Sequence, residues 1–225
     1  VKNLTSTDGG TISLYAQWTP ITYTIKFHGN SSTGGSTASM SMTYDVAKNL
    51  TANGFTKTGN SFVKWNTKAN GSGTSYTNKQ SVKNLTSTQG ATVNLYAQWD
   101  PYDLKVYYNA NGGAINSSTY YLSSKNVYKE SDSTRYYQTW TYNSTKADGL
   151  VNASTFGLYR TGYRFTKWGT STTGGTLFDQ NDATVKPTDL NSNIKTGDCT
   201  RTLYAQWTPN TYTIKFDGNG STSGS

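Results

Sequence analysis

The chain has one cysteine, one histidine, one glutamate, two methionines and four prolines among its 225 residues. With Cys199 alone, no intrachain disulfide can form, which excludes a stapled scaffold but not an extracellular location. His28 and Glu130, each the single example of its kind, leave little material for acid–base chemistry or for a transition-metal site. We therefore expect no enzyme, no cofactor and no metal centre. No apolar run approaches the length of a bilayer span, so no transmembrane segment is expected within these residues. What the chain does have is 22 glycines and 14% aromatic residues in a background of only 33% hydrophobic residues. The aromatics recur at fixed places, which points to small β-domains with polar surfaces and not to disorder.

The recurrence is a tandem repeat. Val1–Thr7 reappears as Val82–Thr88, and Leu14-Tyr15-Ala16-Gln17-Trp18 reappears as Leu95–Trp99 and Leu203–Trp207. Thr22–Phe27 reappears as Thr211–Phe216. Taking each terminal Trp as the end of a unit gives complete repeats at 19–99 and 100–207, spaced 81 and 108 residues apart. Residues 1–18 read as the last part of a preceding repeat and 208–225 as the first part of a following one. Both complete units carry a Thr-Gly followed by Phe-x-x-Trp: Thr58-Gly59 with Phe62 and Trp65, and Thr161-Gly162 with Phe165 and Trp168. The extra length of the second unit lies before Trp168, at about 114–157.

The net charge of +8 is uneven. Unit 19–99 has seven lysines against Asp45 alone, whereas unit 100–207 is nearly balanced. A basic surface suits anionic neighbours such as wall polymers, but the lysines are scattered and do not form a stripe, so a solubilising charge explains them equally and nucleic acid is not expected.

Alternation of apolar and polar residues places strands at Tyr23–Phe27, Leu104–Tyr108 and Leu95–Trp99, with Phe62–Trp65 a further strand and Thr74-Ser75-Tyr76 the start of another. The expected core is Tyr23, Ile25, Phe27, Trp65, Leu95, Trp99, Val106, Trp168, Leu203 and Trp207. Gly34-Gly35, Asn111-Gly112-Gly113, Asn70–Gly73 and Gly174-Gly175 read as turns. Tyr44–Leu50 and Ser81–Leu85 are the best helix candidates, both short. The end fragments should supply single strands, Ser13–Trp18 and Tyr212–Phe216, frayed unless paired. The fold class is mainly β, α+β at most.

The order Tyr-Thr-Ile-Lys-Phe, Asn-Gly-Gly, Thr-Gly-Tyr-x-Phe-x-x-Trp and Leu-Tyr-Ala-Gln-Trp resembles the Listeria–Bacteroides repeat family, of the kind that includes the B-repeat of internalin B. The motif is carried by Tyr23–Phe27, Gly59–Trp65 and Leu95–Trp99, and again by Leu104–Tyr108, Asn111–Gly113, Gly162–Trp168 and Leu203–Trp207. The resemblance implies β-grasp-like domains in stalks, spacers and adhesins of secreted or wall-anchored bacterial proteins. Asn60 departs from the pattern, since an aromatic is usual there, and so does the 114–157 insertion.

Within that insertion, Tyr120, Tyr121, Tyr128, Tyr136, Tyr137, Trp140 and Tyr142 fall close together. Flat rings beside Asn, Gln and Ser suit sugar or protein recognition. The same residues suit one or two extra strands whose alternate rings pack inward, and Tyr136–Tyr142 alternates well enough for that. Asp179-Gln180-Asn181-Asp182 offers oxygen ligands but lacks the spacing of a calcium loop. Two functional readings remain: a stalk or fibre shaft on a bacterial cell surface or wall, with neighbouring repeats of the same or an adjacent chain as partners, or an adhesin module that binds a glycan or protein through the insertion.

Overall fold

The computed structural model describes residues 2–116, 127–130, 135–144, 149–154, 156–220 and 222–223. The chain divides into two compact units, Val1–Lys57 with Phe62–Trp99, and Thr58–Ser61 with Asp100–Ser225.

The first unit contains β1 (Thr22–His28), β2 (Gly34–Gly35), β3 (Met40–Thr43), β4 (Lys48–Asn49), β5 (Phe55–Thr56), β6 (Asn60–Asn66), β7 (Ser75–Tyr76), β8 (Ser81–Val82) and β9 (Thr92–Pro101). Its main sheet runs in the order β3-β1-β9-β6-β7. First and last strands lie side by side at the centre and run parallel, with Ile25 opposite Val93 and Phe27 opposite Leu95. A parallel pair cannot be joined by a tight turn, so the rest of the unit serves as the connection. The parallel central pair is like that of a β-grasp sheet, but the first unit has no helix among the described residues. Alternation sends Tyr23, Ile25 and Phe27 into the core, where they meet Met42, Leu50, Trp65, Val82, Leu95 and Ala97.

The second unit repeats the plan with β10 (Asp103–Asn109), β11 (Ala114–Ile115), β12 (Val127–Lys129), β13 (Tyr136–Thr141), β14 (Leu158–Tyr159), β15 (Tyr163–Ser171), β16 (Gly174–Phe178) and β17 (Cys199–Pro209). The sheet order is β12-β13-β10-β17-β15-β16, with β10 and β17 parallel at the centre. Against the first unit it gains one edge strand, β12. A short helix, α1 (Pro187–Leu190), and a 3-10 turn over Ser192–Lys195 bury Leu190 and Ile194.

Several expectations need correction. Tyr44–Leu50 and Ser81–Leu85 are not helices; Lys48–Asn49 and Ser81–Val82 pair with each other as antiparallel strands. Asp45 has a φ of 65°, which no right-handed helix can contain, and pairing satisfies the backbone while Leu50 and Val82 are buried. Gly34–Gly35 is a strand paired with Phe55–Thr56, not a turn. Gly35 has a positive φ, and a Cβ there would lie 2.0 Å from Gly54 O, so only glycine fits. The segments Ser13–Trp18 and Tyr212–Phe216, by contrast, are frayed as expected of unpaired strands: neither is a strand, and Trp18 is 90% exposed and Phe216 94%.

Phe-x-x-Trp violates strand alternation, since residues three apart should face opposite ways. In β15 the register against β17 slips between Phe165, opposite Trp207, and Trp168, opposite Ala205. The bulge turns both rings inward. The four-ring cluster that results recurs in each unit. Trp65 lies 4.7 Å from Phe27 and 5.0 Å from Phe62, and Phe62 meets Trp99 edge-on at 5.8 Å. Trp168 lies 4.7 Å from Tyr108 and 5.1 Å from Phe165, and Phe165 meets Trp207 edge-on at 6.1 Å. Trp65 and Trp168 are fully buried.

Trp99 and Trp207 were expected to be buried but are only half-buried, at the edge of that cluster. Their indole N–H groups explain the position: each donates to a turn carbonyl, Gly29 O or Ala110 O, at 2.9 Å. The residues before them in the closing strand do related work. Ala97 and Ala205 are buried, and their carbonyls accept from the side chains of Asn30 and Asn111, both with positive φ. Gln98 donates to Lys68 O and Ala69 O in the loop after β6, and Gln206 donates to Ser171 O at the end of β15. The Ala-Gln-Trp motif thus ties two turns to the central strand.

Candidate functional site

The insertion is the only stretch that the sequence marks for recognition, and β13 decides most of it. Its burial alternates strictly: Tyr136, Gln138 and Trp140 face inward and are buried, while Tyr137, Thr139 and Thr141 face out. Tyr136 and Trp140 join Leu150, Val151, Ala153 and Phe156 in the core of the second unit, and Tyr142 packs against its edge. Tyr136 meets Phe156 edge-on at 5.1 Å. Tyr136 and Trp140 are thus packed in the core and Tyr142 is half-buried against it, which leaves these rings little open face. Tyr120 and Tyr121 lie outside the described residues.

The insertion also completes a polar pair. Tyr108 stands where the first unit has Phe27, and its hydroxyl must find partners inside the core. It donates to Gln138 Oε1 and accepts from the Val151 N–H. Burial pushes the Tyr108 phenol far above the ordinary tyrosine range. Trp168 likewise donates to Val151 O at 2.9 Å. The insertion supplies all three partners. Replacing Gln138 with leucine should strand the Tyr108 hydroxyl and cost about 1–3 kcal/mol, and adding Tyr108→Phe should restore most of the loss. A double-mutant cycle of urea denaturation measures it, and an additive result sinks the pairing.

Two predicted site residues remain on the surface. Tyr128 and Tyr137 are directly opposed across β12 and β13, and Tyr137 is opposed to Tyr107 of β10. The three rings form a cross-strand row with centroids 5.7 Å apart at each step. Arg135 stacks on Tyr107 at 3.9 Å and Lys105 sits over Tyr137 at 5.0 Å. Glu130 accepts from the Tyr107 hydroxyl at 3.0 Å and lies 3.8 Å from Arg135. Desolvation first, and then the hydrogen bond to Glu130 and its charge, raises the Tyr107 phenol. The sequence reading missed Tyr107, Lys105 and Arg135 as members of this row. The available signal was the Tyr107-Tyr108 pair, since adjacent strand residues must face opposite sides of the sheet.

The remaining chemistry is accounted for locally. Asp179 pairs with Lys167 at 3.2 Å, Gln180 accepts from the Ala153 N–H, and Asp182 accepts from both the N–H and the hydroxyl of Thr184, whose bonds hold its carboxyl below the usual range. Those oxygens stabilise turns and do not converge as ligands. His28 bonds Asn94 Oδ1 at 2.8 Å and stacks on Tyr96. The Cys199 thiol is pushed up by burial first and the Asp198 charge second, away from thiolate reactivity. Among the described residues no group of three His, Cys, Asp or Glu is placed to hold a metal, and no helix is long and apolar enough to cross a membrane.

Comparison with known proteins now adds a decisive match. Residues 23–98 fit the model of the Listeria–Bacteroides repeat domain, a span that runs from the first core residue of β1 to the closing-strand glutamine. The first unit is a Listeria–Bacteroides repeat. The second shares its sheet order, its four-ring cluster and its closing-strand ties. A protein of Evansella cellulosilytica named a Gly-rich membrane protein is 28% identical over 170 residues, which is 73% of this chain but 16% of that protein. The chain therefore spans a small part of the relative that it resembles. No solved structure matches.

Proposed function

We propose that this chain is a stretch of the repeat region of a bacterial surface protein, in which successive β-grasp units act as a stalk or spacer. The observation that carries the reading is the fate of the insertion: Tyr136, Trp140 and Tyr142 are spent on the unit's own core, and the outward row is capped by its own cations. Rings used in this way build a sturdier repeat and leave little open face for a ligand. The match to the repeat domain and the name of the Evansella relative support a place at the cell surface. The role is mechanical and not catalytic, and the partners are neighbouring repeats.

Two measurements test this in the parent protein. An antibody against 19–207 should label intact cells, and labelling only after lysis overturns the surface location. Exchanging the segment for an unrelated folded spacer of equal length should preserve the activity of the flanking regions. Loss of that activity would mean that the segment itself binds something and would favour the adhesin reading.

A further inference from the structure

The sheet of the first unit ends on an open strand edge. Just past β3 the Tyr44 N–H donates to Ile21 O at 2.7 Å, and hydrogen-bonded pairs alternate along an antiparallel ladder. Thr43 and Ser41, opposite Thr22 and Thr24, therefore turn their backbone polar groups away from β1. No strand of the sheet lies beyond β3, so the Ser41 and Thr43 N–H groups face no partner strand. The two carbonyls are held locally: Ser41 O accepts from Lys48 Nζ at 3.0 Å and Thr43 O from the Val46 N–H at 3.2 Å.

The second unit fills the same edge from its own chain. There β13 stands where the first unit has β3: the Tyr142 N–H donates to Tyr102 O at 2.8 Å as Tyr44 does to Ile21 O, and Gln138 lies opposite Val106 as Met40 lies opposite Ile25. The strand β12 adds antiparallel on the outer side of β13, with the Glu130 N–H donating to Arg135 O at 3.0 Å, and it buries Val127 opposite Gln138. This edge of the fold therefore accepts one more strand, with an apolar residue at the place opposite Met40. In the first unit Met40 is half-buried against the core, and no strand covers it from outside.

Charge indicates what the added strand carries. Lys48 and Lys26, the latter exposed on the outer face of β1, make no ion pair among the described residues, whereas Asp45 is engaged by Lys83 and Asn84. Two copies joined edge to edge would bring two Lys48 side chains together, in units that each hold seven lysines against Asp45 alone. We propose that the β3 edge of the first unit binds an extended acidic segment of another protein by strand addition, with apolar residues opposite Met40 and Met42 and an acidic residue opposite Ser41. The acidic side chain draws Lys48 off Ser41 O, and that carbonyl then accepts the incoming N–H. The inference rests on the edge of the first unit and on its filled counterpart in the second, and it holds for a stalk or an adhesin.

NMR titration of the whole chain tests it, with end-blocked peptides as probes up to about 5 mM, a range that reaches millimolar affinity. The probes are glutamate-valine-glutamate-valine-glutamate, the same peptide with lysine in place of each glutamate, and the glutamate peptide N-methylated at its central residue. The glutamate peptide should shift the Ser41 and Thr43 amides saturably and slow their exchange with solvent. The lysine peptide should bind at least about tenfold more weakly, and so should the N-methylated one, which keeps the charge but loses the N–H that Ser41 O would accept. Ser41→Pro, which removes an outward N–H from an edge strand, should abolish binding at unchanged melting temperature. The proposal is overturned by an absence of saturable shifts at Ser41 and Thr43, or by a lysine or N-methylated peptide that binds as tightly. It is also overturned if the chain dimerises on its own in sedimentation and Ser41→Pro makes it monomeric, since the edge then belongs to a second copy.

Discussion

Trp65→Ala should cost the first unit about 3–5 kcal/mol, most or all of the stability of a domain this small. Trp65 is fully buried and touches Phe27, Phe55 and Phe62, so truncation leaves a ring-sized cavity that three other aromatics cannot collapse to fill. Its indole N–H has no partner among the described residues, so no compensating bond is lost. Trp99→Ala should cost less, about 2 kcal/mol, because that ring is half-buried and gives up one hydrogen bond to Gly29 O as well as part of its burial. Urea denaturation of the whole chain, followed by NMR of first-unit amides, compares the two. An equal or larger loss at Trp99 would show that the closing-strand tie, and not the central ring, holds the unit together. Amides of the second unit should be unaffected by either change.

Trp140→Ala should cost the second unit about 3–5 kcal/mol. This is the sharpest test of whether the insertion is core or appendage. Trp140 is fully buried on β13, directly opposite Leu104 of β10. An appended recognition loop would tolerate the change within about 0.5 kcal/mol, as surface sites do. Second-unit amides near Trp168 should lose protection together with those of β13, because both rings belong to one cluster. If hydrogen exchange shows β13 opening alone while Trp168 stays protected, the insertion is a separate cooperative element and the structural reading of its aromatics fails.

How much was legible in advance depended on whether the information was local. Repetition and alternation are local. They placed the strands Tyr23–Phe27 and Leu104–Tyr108 and ten expected core residues, of which eight are buried and two, Trp99 and Trp207, are half-buried against the core, because a two-residue period leaves a sheet face no other choice. The Listeria–Bacteroides motif located the first unit for the same reason: its residues are spaced in sequence as the fold needs them in space.

What only the tertiary structure decided was set by partners far away in the chain. Phe165 and Trp168 face one way because a bulge breaks the alternation, and that bulge exists only against the closing strand. Lys48–Asn49 and Ser81–Val82 look weakly helical in isolation and become strands by pairing with each other. Tyr136 and Tyr137 are chemically alike neighbours, yet one is core and the other surface, because register against β10 assigns the faces. The sequence by itself determined a tandem, mainly β chain built on recurring aromatic positions. Long-range pairing determined which of the insertion's aromatics are spent inside and which stay on the outer face, since a side chain's face is a property of the strand pair and not of the residue.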